Sequence, residues 1–275
     1  MTLHLDTYYT IGKLHLFCED YVCQGRQPFP YIILADGCSA APDSDLGARL
    51  LTLNARRLLP QFALGSFDEA GQVARHWRLG RRIIRRAARQ ARDLGLDEGV
   101  LDATLLVAWC IDDAVYVHLY GDGCIATRNR AGDVAAIQVE YAENAPYYLS
   151  YLLDGERLAL YREAIGNPRI AQSIHYLHDN GTTLRQVPYN TPTAFSFNLT
   201  TFQTVAVSSD GLHSFINADT GERADLLQTT QRFLDFPNLD PGFVKRRTRD
   251  VLLEYSRRRV VNLDDLGWGA FIQAG

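Results

Sequence analysis

Seven acidic residues stand at or beside the ends of short apolar segments that have the composition of β-strands. They are Glu19, Asp20, Asp36, Asp122, Asp210, Asp264 and Asp265. Three of them share a pattern, because "IILADG", "VHLYGDG" and "VAVSSDG" each place an aspartate beside a glycine at the end of an apolar run. A carboxylate next to a sheet core must be paired, hydrogen-bonded or bound to a metal. If these strand ends meet at one edge, the carboxylates converge and require a cation to neutralise them.

The ligand atoms of such a cluster predict its chemistry. Carboxylate oxygens without histidine or cysteine select hard cations such as Mg²⁺ or Mn²⁺, which retain several waters. The glycine beside Asp36 permits close approach of the backbone, so the carbonyl of Gly37 is a further candidate ligand. Two ions ~4 Å apart can bridge a water, lower its pKa and hold a phosphoryl group for in-line attack. The cluster therefore predicts hydrolytic phosphate chemistry.

A simpler interpretation applies to each aspartate taken alone. Asp-Gly after a strand is common in turns, because both residues favour turn conformations. Any single pair is therefore more typical of a turn than of a metal ligand. The complete set, in its order along the chain, favours a shared site.

The composition limits the class of protein. The chain has 275 residues and a formal charge of -4, with a pI near 6.0, which argues against a basic protein that coats nucleic acid or acidic lipid. The amino-terminal sequence lacks a basic start followed by an apolar segment, and no stretch approaches the ~18 apolar residues that span a bilayer. Five cysteines without a C-x-x-C pair indicate reduced thiols. We expect a cytoplasmic protein with no membrane or nucleic-acid partner.

Periodicity predicts the elements that must position the carboxylates. Strand-like segments open the chain in "LHLDTYYTIG", "LHLFCEDYVCQ" and "PYIILADG". Two helices follow, one starting near Ser44 as its N-cap and one from about Glu69 to Leu94. Residues 103–139 then form a long β region of antiparallel strands. We expect its turns at Asp112-Asp113, at Gly121-Asp122-Gly123 and at Ala131-Gly132-Asp133.

The rest of the chain indicates how these elements are layered. Residues 140–195 show no clear period beyond a turn at "HDNGTT". A strand returns in "FQTVAVSSDG", a helix in "DPGFVKRRTRDVLLEYSRR" and a final strand in "WGAFIQ". Strands grouped with strands and helices with helices favour a layered α+β domain over a βαβ winding. Because no Pro/Ser/Gly-rich linker interrupts the sequence, we expect residues 1–275 to form a single domain.

The ordered acidic segments resemble a known family. They are "CEDYV", "LADGCSAAPDSDLGARLL", "DATLLVAWCIDDAVYVHLYGDGCIATRNRAGDV", "AVSSDGLHSF" and "LDDLGWGAFI". Across roughly residues 11–273 this series resembles the metal-dependent PP2C-type (PPM) Ser/Thr protein phosphatases. The divergent bacterial branch looks most similar, because "GKLHLFCED" has its early G-x-x-H pattern and "EYAENAPYYLS" resembles one of its segments.

The resemblance implies a four-layer αββα sandwich, in which two central antiparallel sheets are flanked by helix pairs and metals bind in a cleft at one end. By position, Asp36 would bridge two ions and Gly37 would contribute its carbonyl oxygen as a ligand. Asp210 and Asp264 would bind one of the two ions, and Glu19 would contact the other ion through water. Asp20 and Asp122 would line a third-ion position. The implied mechanism is attack on phosphorus by a hydroxide that bridges two Mg²⁺ or Mn²⁺ ions.

Several positions depart from the pattern of the family. His15 stands where many members have an arginine that binds the substrate phosphate, so phosphate would be bound by a weaker, titratable partner or by another cation. Cys38 follows the first Asp-Gly in place of histidine or methionine, and the histidine attributed to general-acid catalysis in some members is absent. Ser214 replaces a later aspartate, and Asp265 replaces the usual asparagine.

Two functions follow from the resemblance. The first is a protein Ser/Thr phosphatase in signalling, which acts on a phosphoprotein and has a cognate Ser/Thr kinase as a partner. The second is a catalytically weak or inactive pseudophosphatase that serves as a binding or regulatory module. The changes at His15, Cys38 and Ser214 would be marks of the second function. The number of acidic positions retained favours the enzyme.

Two other patterns carry predictions of their own. The spacing from Cys124 to Arg130 in "CIATRNR" is that of cysteine phosphatases, but it falls in an expected hairpin without the helix N-terminus that cradles phosphate. The second helix carries eight arginines between Arg75 and Arg92. We interpret them as a solvated face, with a docking surface for an acidic partner or a nucleic acid as the alternative.

Overall fold

The computed structural model describes residues 2–63 and 68–274, which form antiparallel β-sheets and the helices that cover them. The helices are Ser44–Phe62 (α1), Glu69–Asp93 (α2), Gly155–Ala164 (α3), Leu226–Phe233 (α4) and Phe243–Arg257 (α5). The strands are Thr2–Thr10 (β1), Asp20–Gly25 (β2), Tyr31–Gly37 (β3), Ala103–Ile111 (β4), Ala114–Tyr120 (β5), Gly123–Asn129 (β6), Val134–Tyr141 (β7), Gln172–His178 (β8), Gly181–Val187 (β9), Thr193–Asn198 (β10), Phe202–Ser208 (β11), Phe215–Asn217 (β12), Val260–Asn262 (β13) and Leu266–Ala274 (β14).

Two large sheets share one apolar layer. The seven-stranded sheet has the order β1-β14-β11-β6-β7-β8-β9, and the five-stranded sheet has the order β10-β5-β4-β3-β2. Successive residues of a strand point to opposite faces. In β3, Ile32 and Leu34 pack between the sheets with Phe271 of β14, whereas Ile33 and Ala35 face the helices. The inner faces of both sheets therefore form one core.

Each sheet is covered on its outer face by helices. On the five-stranded sheet, α1 and α2 pack through residues such as Leu51 and Ile83. On the seven-stranded sheet, α4 and α5 pack through Phe233 and Val251 against Trp268. The order helix, sheet, sheet, helix confirms the predicted αββα sandwich. In the part of the chain that the structure describes, no helix is both long and apolar enough to cross a lipid bilayer.

The predicted hairpin at Gly121-Asp122-Gly123 is wrong. β5 belongs to the five-stranded sheet and β6 to the seven-stranded sheet, so this segment crosses from one sheet to the other. Gly121 and Gly123 have φ values of 99° and 139°, in the region that favours glycine. The two glycines are therefore required by a crossing between the sheets and not by a hairpin. As a result, Asp122 lies where the two sheets meet.

The helices match their predicted bounds with small differences. Asp43, not Ser44, is the N-cap of α1, and Ser44 is the buried first residue of the helix. On α2, Val73 is exposed, and Leu94, the predicted last residue of the helix, lies just beyond its end and is exposed as well. The sequence pattern does not predict α4, because its eight residues are too few to establish a helical period.

Candidate active site

The strand ends that carry the predicted carboxylates lie together at one end of the sandwich. Asp20 of β2 pairs opposite Asp36 of β3. Asp210 follows β11, Asp264 precedes β14, and Asp122 lies in the crossing between the sheets. The carboxylates of all four neighbours act electrostatically on Asp36. The structure therefore places four of the predicted metal ligands within electrostatic range of a fifth, Asp36.

Burial and crowding change the ionisation of this group. Burial first, and then repulsion by neighbouring carboxylates, raises the pKa of Asp36 well above its usual range. Burial is also the largest cause of the raised pKa values of Asp20 and Asp122, and it raises the pKa of Asp210 to about 6. The side chains of Asp36 and Asp210 are close enough to hydrogen-bond when one of them is protonated. Without a cation, the group cannot hold all its charges at neutral pH.

Two carboxylate oxygens of the group have no hydrogen-bond partner among the described residues. They are Oδ1 of Asp20 and Oδ1 of Asp210, and both are buried. The other oxygen of Asp20 accepts a hydrogen bond from Ser209 Oγ at 2.8 Å. A buried carboxylate oxygen without a donor is costly unless a cation contacts it. Because all the clustered ligand atoms are carboxylate oxygens, these residues fit the predicted Mg²⁺ or Mn²⁺.

Gly37 allows α1 to approach β3 closely. A Cβ atom at this position would lie 2.7 Å from the carbonyl oxygen of Ser44, so a larger residue would push the helix away. The amide of Gly37 donates to the carbonyl of Glu19 at 3.3 Å. The close approach lets the hydroxyl of Ser44 donate to the carboxylate of Glu19. The glycine therefore contributes to the site through packing, in addition to the ligand role predicted for its carbonyl.

Glu19 is fixed by hydrogen bonds to both of its carboxylate oxygens. Ser39 Oγ donates to Oε2 at 2.7 Å, and Ser44 Oγ donates to Oε1. Some lone pairs of the Glu19 carboxylate therefore already accept hydrogen bonds. Such an arrangement is compatible with the predicted contact of Glu19 to an ion through water.

Asp265 joins the segment before β2 to the start of β14. It is 1% exposed, and its Oδ1 accepts from the amide of Gly12 at 2.7 Å while its Oδ2 accepts from the amide of Glu19 at 2.5 Å. An asparagine has one acceptor oxygen and could not accept both bonds in this way. The aspartate at this position therefore holds the backbone of Glu19 in place.

His15 lies among three carboxylates. Its Nε2 is 3.0 Å from Asp264 Oδ1, and its Nδ1 is 3.2 Å from both Glu19 Oε2 and Asp265 Oδ2. His15, Glu19 and Asp265 offer ligand atoms within 4.8 Å of one another, close enough to contact one metal ion. Both ring nitrogens of His15 already contact carboxylates, so a substrate phosphate would have to compete with them.

A cleft of about 480 Å³ opens beside the carboxylates. Its lining includes His15, Asp122, Asp210 and Asp264 from the predicted set. It also includes residues that the sequence did not single out, among them Gln138, Glu140, His213 and Arg223. The Nε2 amide of Gln138 lies 2.7 Å from His213 Nδ1 and 2.6 Å from Glu140 Oε1. These side chains form a polar wall of the cleft.

Arg223 is the one permanent cation among the described residues that line the cleft. Its Nη1 donates to the carbonyl of His213 at 2.9 Å, and its Nε and Nη2 make no hydrogen bond to the described residues. The positive charge of Arg223 partly opposes the rise in the pKa of Asp210. Burial lowers the pKa of His213, which favours its neutral form. No local sequence signal marks Arg223, because it lies in an irregular segment.

Cys124 and Arg130 do not form a phosphate-binding loop. Cys124 is 2% exposed within β6, and burial raises the pKa of its thiol to about 12. Arg130 follows β6 and donates to the carbonyls of Leu199 and Thr200. A nucleophilic cysteine requires an accessible thiolate, so this pair offers no route to thiolate chemistry.

Comparisons with known proteins agree with this architecture. The family model described as protein phosphatase 2C matches residues 13–243, whereas comparison with curated proteins finds no match. Similar solved structures include the serine/threonine phosphatase Stp1 from Staphylococcus aureus, at 15% identity and TM-score 0.56, with 100% of this chain and 96% of that chain covered. The Mycobacterium tuberculosis serine/threonine phosphatase PstP/Ppp has 16% identity and TM-score 0.55, with both chains fully covered at 100%.

A third similar structure is PppA, described as a key regulatory component of T6SS in Pseudomonas aeruginosa. It has 14% identity and TM-score 0.56, with 99% of this chain and 98% of that chain covered. At such identities the structural similarity supports the fold alone. The match to the family model supports membership of the family, because it extends over most of the sequence. The chain belongs to the protein phosphatase 2C family.

Proposed function

We propose that this chain is a metal-dependent protein serine/threonine phosphatase that hydrolyses phosphoserine and phosphothreonine. The observation that carries the proposal is the group of buried and half-buried carboxylates beside a cleft, in which two buried oxygens lack hydrogen-bond donors among the described residues. Membership of the family supports the reaction class. We also propose that residues 1–275 act as one domain, because β1 and β14, from opposite ends of the chain, pair along their whole length.

The proposed cofactor is Mg²⁺ or Mn²⁺, with two ions and a third-ion position. The residues that would hold them are Asp36, Gly37, Asp210, Asp264 and Glu19 for the pair, and Asp20 and Asp122 for the third position. When bound, such ions act as Lewis acids toward phosphoryl oxygens and lower the pKa of water. Among these residues, Asp36, Asp210 and Asp264 are the proposed catalytic group.

Other residues of the chain orient this group. Asp265 holds the backbone of Glu19, while Ser39 and Ser44 hold its carboxylate. The position of Glu19 is therefore set by packing and hydrogen bonds before any ligand arrives, which reduces the reorganisation that catalysis would require. His15 bridges Glu19 and Asp264 and links the two sides of the site.

The direct test is metal-dependent turnover. Purified protein with Mn²⁺ is expected to hydrolyse p-nitrophenyl phosphate and a phosphothreonine peptide. Excess chelator should abolish turnover, and added Mn²⁺ should restore it. Turnover that survives the chelator but is lost in Cys124→Ser would contradict the proposal in favour of thiolate chemistry.

Arg223 is proposed to bind the substrate phosphate, which His15 was expected to bind from its position in the sequence. Arg223→Ala is expected to raise KM for p-nitrophenyl phosphate by about tenfold and to change kcat much less, because a guanidinium binds phosphate in the ground state as well as in the transition state. Inhibition by inorganic phosphate should weaken by the same factor. Steady-state kinetics measures both effects.

The controls for Arg223 separate charge from structure. Arg223→Lys should recover part of the affinity, because it keeps the charge but loses the forked geometry of the guanidinium. Arg259→Ala removes another exposed arginine, which pairs with Asp219 at 2.6 Å outside the cleft, and should leave KM unchanged. Unaltered phosphate inhibition in Arg223→Ala would show that another group binds the phosphate.

The second candidate function is the pseudophosphatase, a binding or regulatory module with little or no turnover. The observation that favours it is the engagement of His15 by three carboxylates, since this weakens the predicted phosphate contact. Calorimetric titration with Mn²⁺ separates the two functions. A protein that neither binds Mn²⁺ nor turns over substrate fits only the module. For the active enzyme, the proposed partners are a phosphoprotein and a cognate Ser/Thr kinase, and the proposed location is the cytoplasm.

A further inference from the structure

The outer face of the first helical layer is unusually rich in arginine. Helices α1 and α2 together contain 11 of the 26 arginines of the chain but only three acidic residues. Both lysines of the chain, Lys13 and Lys245, lie elsewhere. The chain as a whole has a formal charge of -4. Positive charge is therefore concentrated on one face of an otherwise acidic protein.

The exposed arginines of α2 form a continuous row, which we name the arginine ridge. It consists of Arg78, Arg81, Arg82, Arg85 and Arg89, all exposed. The opposite side of the helix is buried against the sheet, with Ile83 and Ala87 at 0% exposure. Each ridge residue has another ridge residue three or four positions away, so their side chains are neighbours on the helix surface. Like charges at these spacings destabilise a helix.

No described carboxylate neutralises the ridge. None of its five arginines has an ion pair within 4.0 Å with a carboxylate whose side chain the structure describes. The second helical layer differs, because Arg232 and Arg258 pair with Glu254 at 2.5 and 3.0 Å. A general abundance of arginine would not explain this difference between the two layers. The uncompensated charge of the ridge instead indicates a ligand that supplies the negative charge.

The ridge borders a groove with an apolar floor. Two adjoining hollows of about 460 and 390 Å³ share Gln61, Arg82 and Arg85. Of the apolar residues of α1, Phe62 lines the first hollow and Leu58 lines the second. The guanidinium of Arg82 stands 5.5 Å from the centre of the Phe62 ring, a contact that orders its side chain. The groove therefore offers both guanidinium donors and apolar surface to a peptide.

The groove lies away from the catalytic cleft. α1 starts at Ser44, which contacts Glu19, and the groove is lined by its residues from Leu58 to Phe62, which lie about 21 to 27 Å from Ser44 along a helix that rises about 1.5 Å per residue. The cleft is lined by four carboxylates and one arginine. An acidic stretch of a bound protein would therefore be attracted electrostatically to the ridge and not to the cleft.

We propose that the arginine ridge docks an acidic segment of the phosphoprotein substrate while the phosphorylated residue occupies the cleft. The inference rests on the proposed phosphatase function. A segment of about ten residues between the phosphosite and the acidic stretch spans the distance, at about 3.4 Å per extended residue. A nucleic acid fits less well, because Phe62 is the one aromatic ring among the described residues that line the groove, and Arg82 stands over it.

The test uses matched peptides. Both carry one phosphothreonine, and about ten residues away one has a block of six glutamates and the other a block of six glutamines. With the wild-type protein, KM for the acidic peptide is expected to be lower by about tenfold at about 50 mM salt, and the preference should fall at about 500 mM. Charge reversal by Arg82→Glu, Arg85→Glu and Arg89→Glu should remove the preference while turnover of p-nitrophenyl phosphate stays unchanged.

The control is a second triple variant with the same change in charge. Lys245→Glu, Arg249→Glu and Arg257→Glu alter exposed residues of α5 on the opposite layer and should keep the preference for the acidic peptide. Binding of a fluorescent, unphosphorylated acidic peptide, measured by anisotropy in chelator, gives a readout that does not require turnover. It should be lost only in the ridge variant.

Each outcome separates docking from catalysis. Equal KM values for the two peptides with the wild type, or a preference that persists in the ridge variant, would overturn the docking proposal while the phosphatase function stands. Displacement of the acidic peptide by a tenfold lower concentration of an RNA or DNA oligomer would assign the ridge to nucleic acid instead. Retained anisotropy binding without any turnover would contradict the phosphatase function and, with it, the substrate as the source of the segment.

Discussion

Replacement of Asp36 by asparagine is expected to reduce Mn²⁺-dependent turnover of a phosphothreonine peptide by about 10³-fold, because ions that stabilise developing charge contribute several kcal/mol to transition-state binding. Asp36 lies opposite Asp20 and close enough to Asp210 to hydrogen-bond with it. Loss of its charge would therefore weaken the proposed ion binding at the centre of the site. Steady-state kinetics with saturating Mn²⁺ measures the effect.

The same substitution is expected to stabilise the metal-free protein. Burial and neighbouring carboxylates oppose ionisation of Asp36, so a neutral amide of the same shape relieves repulsion at pH 8. Thermal unfolding in chelator should show a higher midpoint than the wild type, which separates lost catalysis from lost folding. Asp93→Asn, at the exposed end of α2, is the matched control and should change neither quantity. A low unfolding midpoint in Asp36→Asn would mean that the residue is structural.

Metal-free protein is expected to lose stability as the pH rises from about 7 to about 8.5, and Mn²⁺ is expected to remove most of this loss. The sign follows from the raised pKa values of Asp20, Asp36 and Asp122. In the unfolded chain these groups ionise near the usual carboxyl pKa of about 4, whereas burial and repulsion keep them protonated to higher pH in the fold. The folded state therefore binds more protons than the unfolded state, and its stability falls as the pH increases through the folded pKa values.

The size of this effect follows from proton linkage. Each proton retained by the fold costs about 1.4 kcal/mol per pH unit, or about 2 kcal/mol over the range. For a chain of this size that corresponds to about 4–8 °C in the midpoint of thermal unfolding. His76 and His118, whose pKa values burial lowers, are largely neutral in both states above pH 7 and contribute little. Equal midpoints in chelator at both pH values would contradict the assignment of these carboxylates to one group.

The acidic positions were predictable because their signal is local. Asp36 is the penultimate residue of β3 and Asp210 lies two residues beyond β11, so each apolar strand determines where its aspartate lies. The four-layer architecture also followed from the order of strand and helix patterns and from the resemblance. In both cases the information resides in short segments or in their order.

Other parts of the site depend on contacts that no local pattern encodes. The glycines around Asp122 suit a hairpin and a crossing between sheets equally well, and only the packing of two sheets decides between them. Arg223 reaches the cleft because its guanidinium is held by the carbonyl of His213. The two hydrogen bonds accepted by Asp265 come from residues more than 240 positions earlier. Sequence spacing gives no access to such contacts.

The position of β14 has a consequence for how the chain folds. Although it follows every other strand in sequence, β14 lies inside the seven-stranded sheet, between β1 and β11. Its pairing with β1 joins segments from opposite ends of the described chain, such as Thr10 and Leu266, and closing such a long loop is slow. Asp264 and Asp265 reach their places only with this strand. Chains in which β14 has not yet paired therefore hold an incomplete set of the proposed ligands, and the proposed ion site is complete only in the native topology.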